Sequence, residues 1–219
     1  MKICFLTKIE KPGSQEAYDF LKNLNTDTDL FYGSIEDKIP LELTKKNYDI
    51  LISFASPWIV PESILKKIKY RAINFHPGPP EYPGTECFNF ALYNEEDSYG
   101  STAHIMKKNV DTGKIIGVKR FKFDSTIGVE ALSILTYESM LELFKEIIGN
   151  IISNNFSTSI NEKWKRKPYK RKDLDKLASL SLDMPIEEIK KRIRCTYYPG
   201  KPAPFLSIED LKFEYSPYE

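Results

Sequence analysis

Three polar residues have the types and the spacing that acyl transfer to an amine requires. Asn74 and His76 stand two positions apart at the end of an apolar run, and Pro77-Gly78 ends the strand that this run predicts. Because side chains two positions apart in a strand point to the same face, the amide and the imidazole lie on one side of the sheet. Asp111 belongs to a later turn, Val110-Asp111-Thr112-Gly113, which joins two further strands.

The three groups have complementary chemical roles. An imidazole, whose unperturbed pKa is about 6.5, can take the proton that an attacking amine must lose near neutral pH. An asparagine amide can donate to the oxyanion that forms on a carbonyl under attack, and a carboxylate can orient the imidazole or relay the proton. A structural interpretation is also open, because Asn-x-His at a strand end and Asp-Thr-Gly in a turn both satisfy loop backbone groups. His104, in the middle of a predicted strand, is expected to be a structural histidine.

Strands and helices alternate along the first half of the chain. The predicted strands are residues 2–7, 29–33, 48–54 and 71–75, and the predicted helices are residues 14–25, 41–46 and 61–67. Several of these strands are apolar throughout, which is typical of strands covered on both faces. The alternation predicts an α/β fold with a doubly wound, mostly parallel sheet. Ligands of such sheets bind at the carboxyl ends of the strands, which is where Asn74 and His76 stand.

The second half of the chain is organised differently. A proline-rich loop leads to further predicted elements, a helix at 86–93, strands at 100–106 and 114–123, and a long helix at 128–154. The remainder carries 14 basic and 10 acidic residues at positions 161–219, and it predicts two short helices and a β-hairpin. Because this part has too little apolar mass for a core of its own, we divide the chain into a catalytic domain, residues 1–160, and a C-terminal extension, residues 161–219.

Composition excludes several classes of protein. The 219 residues carry 32 basic and 31 acidic side chains, and this balance argues against a broad nucleic-acid-binding surface. No apolar run approaches the roughly 20 residues that span a bilayer, and the amino-terminal apolar run is too short for a signal peptide. Two histidines 28 positions apart and three scattered cysteines offer no metal-ligand cluster and favour a reducing, cytoplasmic location.

Four motifs in a fixed order together resemble one family of enzymes. They are Ile73-Asn74-Phe75-His76-Pro77-Gly78, Tyr82-Pro83-Gly84, Tyr99-Gly100-Ser101-Thr102-Ala103-His104 and Val110-Asp111-Thr112-Gly113-Lys114-Ile115-Ile116. In this order they closely resemble the formyltransferases that use 10-formyltetrahydrofolate, over roughly residues 1–150. The resemblance implies the same doubly wound fold, a formyl-folate cosubstrate, and a catalytic triad of Asn74, His76 and Asp111.

The resemblance also implies where the folate binds. In the family the pteridine lies beside the loop after the third strand, and the backbone before the catalytic aspartate forms the other wall of the pocket. The corresponding candidate cofactor-binding residues here are Trp58, Ile59, Val60, Leu65 and Val110. A core or lid role for Trp58 is an equal alternative. The candidate substrate-binding residues are Pro77, Gly78 and Tyr82, and a packing role for the tyrosine also stays open.

The C-terminal extension predicts the acceptor amine. Residues 170–174 and 193–200, followed by the alternating hairpin, resemble the carboxyl end of nucleotide-sugar N-formyltransferases, in several of which a terminal hairpin assists dimer formation. We therefore expect formyl transfer to the amino group of a nucleotide-linked deoxyamino sugar, for O-antigen or other polysaccharide synthesis. The expected assembly is a homodimer, since an exposed strand edge invites pairing.

Two other acceptors and a non-catalytic class of protein are the alternatives to this interpretation. The glycinamide ribonucleotide enzyme has a glycine- and serine-rich phosphate turn after its first strand, whereas residues 8–14 contain one glycine and an added acid. The methionyl-tRNA enzyme carries a larger and more basic domain than the 59 residues after position 160 accommodate. Seven cations at positions 163–172 are a solvated linker, a diphosphate contact, or the nucleic-acid arm of a non-catalytic binding module.

Overall fold

A computed structural model describes residues 1–8, 10–24, 26–156 and 160–217 of the chain. Its strands are β1 (Lys2–Thr7), β2 (Asp27–Tyr32), β3 (Ile50–Phe54), β4 (Arg71–His76), β5 (Ser98–Ile105), β6 (Ile115–Lys122), β7 (Ser179–Leu180), β8 (Phe205–Ile208) and β9 (Leu211–Glu214). Its helices are α1 (Ser14–Asn23), α2 (Glu42–Lys45), α3 (Glu62–Leu65), α4 (Cys87–Tyr93), α5 (Val129–Ile152), α6 (Arg171–Ala178) and α7 (Ile186–Thr196). Within the described ranges, none of these helices is both long enough and apolar enough to cross a membrane.

The main sheet has the strand order β2-β1-β3-β4-β5-β6. β1 pairs in parallel with β2 and with β3, and β3 pairs in parallel with β4. β5 and β6 run antiparallel to their neighbours, so the proline-rich loop and α4 connect two antiparallel strands rather than forming a crossover between parallel ones. The chain order reverses at β1, as in doubly wound sheets. The prediction of an α/β fold with a doubly wound, mostly parallel sheet is therefore confirmed.

Alternate residues of the central strands enter two separate cores. In β4, Ile73 and Phe75 pack with α1 and α5 on one face of the sheet, while Ala72 packs with α2 and α3 on the other. Residues of β1 alternate between the same two cores, which explains why these strands are apolar throughout. Because side chains alternate along a strand, Asn74 and His76 lie on the same face as Ala72.

The C-terminal extension packs against helices of the preceding part of the chain. β7 runs parallel to β8, and β8 pairs antiparallel with β9, so the predicted hairpin is present and β7 enlarges it to three strands. Cys195 of α7 is buried in a core that also contains Phe90 of α4 and Leu177 of α6. The side-chain amide of Asn89 donates a 2.7 Å hydrogen bond to the carbonyl oxygen of Cys195. The extension therefore shares a core with α4 and α5 instead of standing apart.

Candidate active site

The carboxyl end of β4 carries both residues of the Asn-x-His motif. The antiparallel register with β5 pairs Asn74 with His104 and His76 with Thr102. Cross-strand partners share a face, so these four side chains form one polar patch on the sheet. A register shift in the β5–β6 ladder falls between Ala103 and His104, and such bulges redirect side chains. Both histidines are 3% exposed, whereas Asn74 is half-buried.

Asp111 connects the two imidazoles. Its Oδ1 lies 3.1 Å from Nε2 of His104, and its Oδ2 lies 3.3 Å from Nδ1 of His76. The backbone N–H of Gly84 donates a 2.8 Å hydrogen bond to the same Oδ2. Nε2 of His104 also lies 3.1 Å from Nδ2 of Asn74. The structure therefore brings Asn74, His76 and Asp111 together, and it places His104 between the amide and the carboxylate.

The carboxylate of Asp111 is a buried charge with three neighbours that favour ionisation. Burial alone raises the pKa of this carboxyl group, whose residue is 2% exposed. The charge of His76, the hydrogen bond from His104 and the backbone N–H of Gly84 outweigh burial and lower the pKa to about 2. At neutral pH Asp111 is therefore ionised and acts only as a hydrogen-bond acceptor.

The second ring nitrogen of His76 faces the proline-rich loop. Its Nε2 lies 2.8 Å from the carbonyl oxygen of Tyr82, which can only accept a hydrogen bond. A Cβ atom at Gly78 would stand 2.7 Å from the same Nε2, so a glycine at this position leaves the space that the ring occupies. The imidazole is therefore held between the carboxylate of Asp111 and the loop.

Cys87 is a neighbour of the cluster that the sequence motifs do not single out. Its Sγ lies 3.7 Å from Nε2 of His76 and 3.3 Å from the carbonyl oxygen of Gly84. Burial, and then the charge of Asp111, raise the pKa of this thiol well above its usual value. A thiolate is the nucleophilic form of cysteine, so Cys87 acts here as a small neutral packing residue beside the imidazole.

The turn that carries Asp111 is tightly constrained. Asp111 has a φ of 48°, a left-handed conformation that costs free energy for a residue with a side chain. A Cβ atom at Gly113 would stand 1.6 Å from the carbonyl oxygen of Ile105, so the turn backbone packs directly on the end of β5. The hydroxyl of Thr112 donates a 2.8 Å hydrogen bond to the carbonyl oxygen of Asn109. These contacts fix the direction in which the carboxylate points.

Trp164 of the C-terminal extension covers the cluster. Its ring centroid lies 5.8 Å from that of His76 and 5.1 Å from that of His104, and both pairs meet edge to face. Its indole N–H donates a 2.8 Å hydrogen bond to the carbonyl oxygen of Gly113. Sequence reasoning misses this residue because it lies 51 positions beyond Gly113, inside a run of cations whose charge dominates the pattern. A single tryptophan among those cations is the one signal that could have found it.

Two of the predicted folate-binding residues lie in the core. Trp58 and Val60 are 9% and 2% exposed and belong to the core on the α2–α3 face. The indole N–H of Trp58 donates a 2.9 Å hydrogen bond to the carbonyl oxygen of Asp37. Of the alternatives that the sequence leaves open for Trp58, this packing corresponds to the core role.

The other predicted folate-binding residues, Ile59, Leu65 and Val110, lie in the segments that follow β3 and β5. Leu65, after the β3 loop, and Met106, after β5, both pack at the margin of the same core. Ile59, six residues before Leu65, and Val110, four residues after Met106, are 70% and 43% exposed. Ile59 and Val110 therefore present apolar side chains to solvent, whereas Leu65 is partly covered by the core.

The predicted substrate-binding residues line the loop after β4. Pro77 is half-buried, and the carbonyl oxygen of Gly78 accepts a 2.7 Å hydrogen bond from the hydroxyl of Thr102. Tyr82 is 4% exposed, and its hydroxyl donates a 2.6 Å hydrogen bond to a carboxylate oxygen of Glu96. The ring of Tyr82 therefore packs inside the protein, and its backbone carbonyl is the part that reaches the catalytic cluster.

In the part of the chain that the structure describes, no group of three or more His, Cys, Asp or Glu side chains is arranged to hold a metal ion. Asp111 is hydrogen-bonded to His104 and lies at ion-pair distance from His76, and Cys4, Cys87 and Cys195 are free and buried.

Comparison with known sequences places this site in a family. Residues 33–143, about half of the chain, match the family described as Formyl transferase, and this segment contains Asn74, His76, His104 and Asp111. The methionyl-tRNA formyltransferase of Clostridium tetani is 28% identical over 203 residues, which are 83% of this chain and 62% of that protein. The chain thus spans less than two thirds of the length of this curated relative. The GDP-perosamine N-formyltransferase of Brucella melitensis is 33% identical over 79 residues, which are 36% of this chain and 30% of that protein.

Solved structures share the fold. A sugar N-formyltransferase from Shewanella sp superposes with a TM-score of 0.79 at 17% identity, over 98% of this chain and 96% of that one. The N-formyltransferase from Helicobacter canadensis, solved with folinic acid and dTDP-3-aminofucose, has a TM-score of 0.76 at 20% identity, over 95% of this chain and 84% of that one. The shared fold includes the C-terminal extension as well as the main sheet. From the sequence match across its catalytic half, the chain belongs to the formyl transferase family.

Proposed function

We propose that the protein transfers a formyl group from 10-formyltetrahydrofolate to the amino group of a nucleotide-linked deoxyamino sugar. The observation that carries the proposal is the buried chain Asn74–His104–Asp111–His76 at the carboxyl edge of a formyl transferase sheet. An amide donor, an imidazole and an ionised carboxylate in contact are the groups that acyl transfer to an amine requires. Membership of the family supports the formyl group as the one transferred.

The bound folate would supply the formyl carbon, and its ring would lie against Ile59, Leu65 and Val110, with Trp58 and Val60 behind them. Asn74 is the member of the cluster that remains half-exposed, so it can reach a bound substrate. The amide carries two N–H bonds. Because Nε2 of His104 donates to Asp111, it does not accept from this amide, and an N–H of Asn74 can donate to the carbonyl oxygen on which negative charge develops.

His76 is the base that we assign to the attacking amine. With a pKa of about 2, Asp111 binds a proton too weakly to take it from an amine. When the ring is neutral with its hydrogen on Nδ1, toward Asp111, Nε2 of His76 can take that proton, and the carbonyl of Tyr82, 2.8 Å away, then accepts a hydrogen bond from the new N–H. The carboxylate of Asp111 on the other side stabilises the positive charge that the ring gains. Pro77 and Gly78 would line the path by which the amine approaches.

The proposed acceptor rests on likeness to sugar N-formyltransferases. The structural neighbour from Helicobacter canadensis was solved with an aminosugar nucleotide, and the likeness extends over 95% of this chain. The GDP-perosamine enzyme of Brucella melitensis adds a local sequence match. A nucleotide-linked sugar is an activated glycosyl donor, so its product would enter polysaccharide synthesis, such as that of an O-antigen.

A panel of acceptors tests this function. We expect the purified chain with 10-formyltetrahydrofolate to formylate a dTDP-linked amino sugar with kcat/KM at least about tenfold above that for glycinamide ribonucleotide or methionyl-tRNA. Mass spectrometry of the acceptor measures the transfer, and His76→Ala is the inactive control. Preference for methionyl-tRNA would overturn the sugar assignment. Binding to nucleic acid that weakens with salt, with no amine formylated and no dependence on His76, would overturn the enzyme assignment.

We also propose that the chain acts as a cytoplasmic homodimer, with residues 161–219 as the dimerisation element. β9 is an edge strand on which Leu211 and Phe213 are 63% and 52% exposed. Exposed edges with apolar side chains pair with other chains unless they are covered. We expect Phe213→Lys to shift the protein from dimer to monomer in sedimentation experiments, whereas Lys212→Gln on the same strand leaves the dimer intact. A wild-type chain that sediments as a monomer at all concentrations would contradict this assignment.

A further inference from the structure

The chain between α5 and α6 forms a strap, residues 162–170, that lies along the loop after β4. The backbone N–H groups of Lys165 and Tyr169 donate hydrogen bonds of 2.9 Å to the carbonyl oxygens of Pro80 and Pro83. This pairing brings the strap to the outer side of the loop that holds His76. The cation-rich segment is therefore seated on the catalytic domain through its backbone.

Side chains anchor the strap as well. The ring of Tyr169 stacks on that of Phe90, with 3.7 Å between centroids and 2° between planes. At the other end, Arg120 of β6 forms ion pairs with Glu162 of the strap, at 2.8 Å, and with Glu81 of the loop, at 3.2 Å. Because both ends are held, the segment between them has a defined path across the cluster.

Trp164 is the strap residue that contacts the catalytic cluster. Its indole meets both imidazoles, and its N–H holds the carbonyl of Gly113 in the turn that carries Asp111. One side chain thus contacts two of the four members of the cluster, His76 and His104, and the turn that carries a third. His76, His104 and Asp111 are 3%, 3% and 2% exposed in this arrangement. The indole is therefore a wall of the site, contributed by the C-terminal extension.

We propose that Trp164 is a positioning residue that fixes the two imidazoles and keeps water away from the reacting formyl group. This inference rests on the proposed function. In productive transfer, the amine forms a bond to the formyl carbon, the bond from that carbon to N10 of the folate breaks, and the proton lost by the amine passes through His76 to N10. In the competing reaction, water forms the bond instead, and the products are formate and tetrahydrofolate. Exclusion of water from a closed site favours the first outcome.

The test compares Trp164→Ala and Trp164→Phe with the wild type. Tyr70→Ala is the matched control, because Tyr70 is an aromatic residue, 59% exposed, that precedes β4 at the opposite edge of the sheet. The ratio of formate to formylated sugar measures how the formyl group is divided between water and the sugar amine. We expect Trp164→Ala to raise this ratio about tenfold and to lower kcat about 10- to 100-fold with a smaller change in KM, since misplaced catalytic groups lose effective molarity. Trp164→Phe retains an aromatic ring over the imidazoles, so its ratio of formate to formylated sugar should stay close to that of the wild type.

A second readout does not depend on the reaction. The chain has two histidines, and both lie under this indole, so their ring resonances in NMR report on the site alone. We expect Trp164→Ala to shift both resonances and Tyr70→Ala to shift neither, with thermal melting confirming that each variant folds. If Trp164→Ala leaves both resonances unmoved, the positioning role is overturned. The same follows if the wild type formylates the sugar and Trp164→Ala leaves the ratio of formate to formylated sugar unchanged. A wild type that formylates no amine would overturn the proposed function, and the NMR comparison would still decide whether Trp164 orients the histidines.

Discussion

Replacing Asp111 by asparagine is expected to lower the rate of formyl transfer about 10³- to 10⁴-fold while the chain still folds. The carboxylate accepts hydrogen bonds from donors on both of its oxygens, because Oδ2 meets His76 and Gly84 while Oδ1 meets His104. An amide of the same shape offers one acceptor oxygen and one N–H₂ group. If its oxygen keeps the bond to Gly84, its N–H₂ faces Nε2 of His104 and changes the hydrogen bonding of the whole chain.

The measurement is a single-turnover rate with 10-formyltetrahydrofolate and the amino sugar. Asp183→Asn is the matched control, because Asp183 is an exposed aspartate in the turn before α7. Surface changes of this kind usually alter stability by no more than about 0.5 kcal/mol, and we expect that variant to retain full activity. An Asp111→Asn variant with near wild-type turnover would show that the carboxylate has no part in the chemistry.

The same variant makes a separate prediction about acid stability. The pKa of Asp111 is lowered from its ordinary value of 3.8 to about 2 in the folded chain. A group whose folded pKa is depressed adds stability above its unfolded pKa, and this stability is lost as the pH falls toward the folded value. The wild type should therefore be more stable than Asp111→Asn at pH 6, and this difference should shrink between about pH 4 and pH 2. Urea unfolding at several pH values measures it, and a constant difference would contradict the assigned pKa.

Gly113→Ala is expected to cost about 1 to 3 kcal/mol of unfolding free energy and to lower turnover about 100-fold. The added Cβ would stand 1.6 Å from the carbonyl oxygen of Ile105, so the turn backbone has to move away from β5. Gly113 is two residues from Asp111, and its carbonyl accepts the indole N–H of Trp164. A displaced turn therefore misplaces the carboxylate and loosens the aromatic cover at the same time.

Gly149→Ala is the matched control, and it should change stability in the opposite direction. Gly149 lies in α5, and a Cβ there would meet only the ring of Phe20 at 3.9 Å, which is an ordinary contact. Glycine inside a helix is less stable than alanine by roughly 0.5–1 kcal/mol. Chemical denaturation of both variants measures the pair. Equal effects of the two substitutions would show that the contact with Ile105 does not constrain the turn.

Much of the fold can be predicted from the sequence because its central strands are buried on both faces. Residues of β1 and β4 that alternate between two cores are all apolar, so the pattern indicates a covered sheet without any knowledge of partners. The antiparallel direction of β5 cannot be predicted from this pattern. Burial patterns do not record strand direction, and α4 between β4 and β5 resembles a crossover helix in sequence although it does not act as one.

The proposed catalytic site also contains residues that the sequence predicts and contacts that it does not. Asn74 and His76 share a face by strand alternation, and Asp111 follows from the turn, so local rules and the motifs predict these residues. His104 fits the expectation of a hydrogen-bonded histidine, yet its place between Asn74 and Asp111 depends on the cross-strand register. Register is a pairing between distant residues, so no window of sequence around His104 contains it.

The sequence by itself determined the order of strands and helices along the chain, the family, and the residue types available for acyl transfer. Those properties follow from hydrophobic periodicity, turn chemistry and short motifs, each of which acts over a few neighbouring positions. Only the tertiary structure decided that Trp164 covers His76 and His104, and that Gly84 and Tyr82 complete the hydrogen bonds of the site. These contacts join segments far apart in the chain, and they exist only because the packed sheet and the strap bring the backbones together.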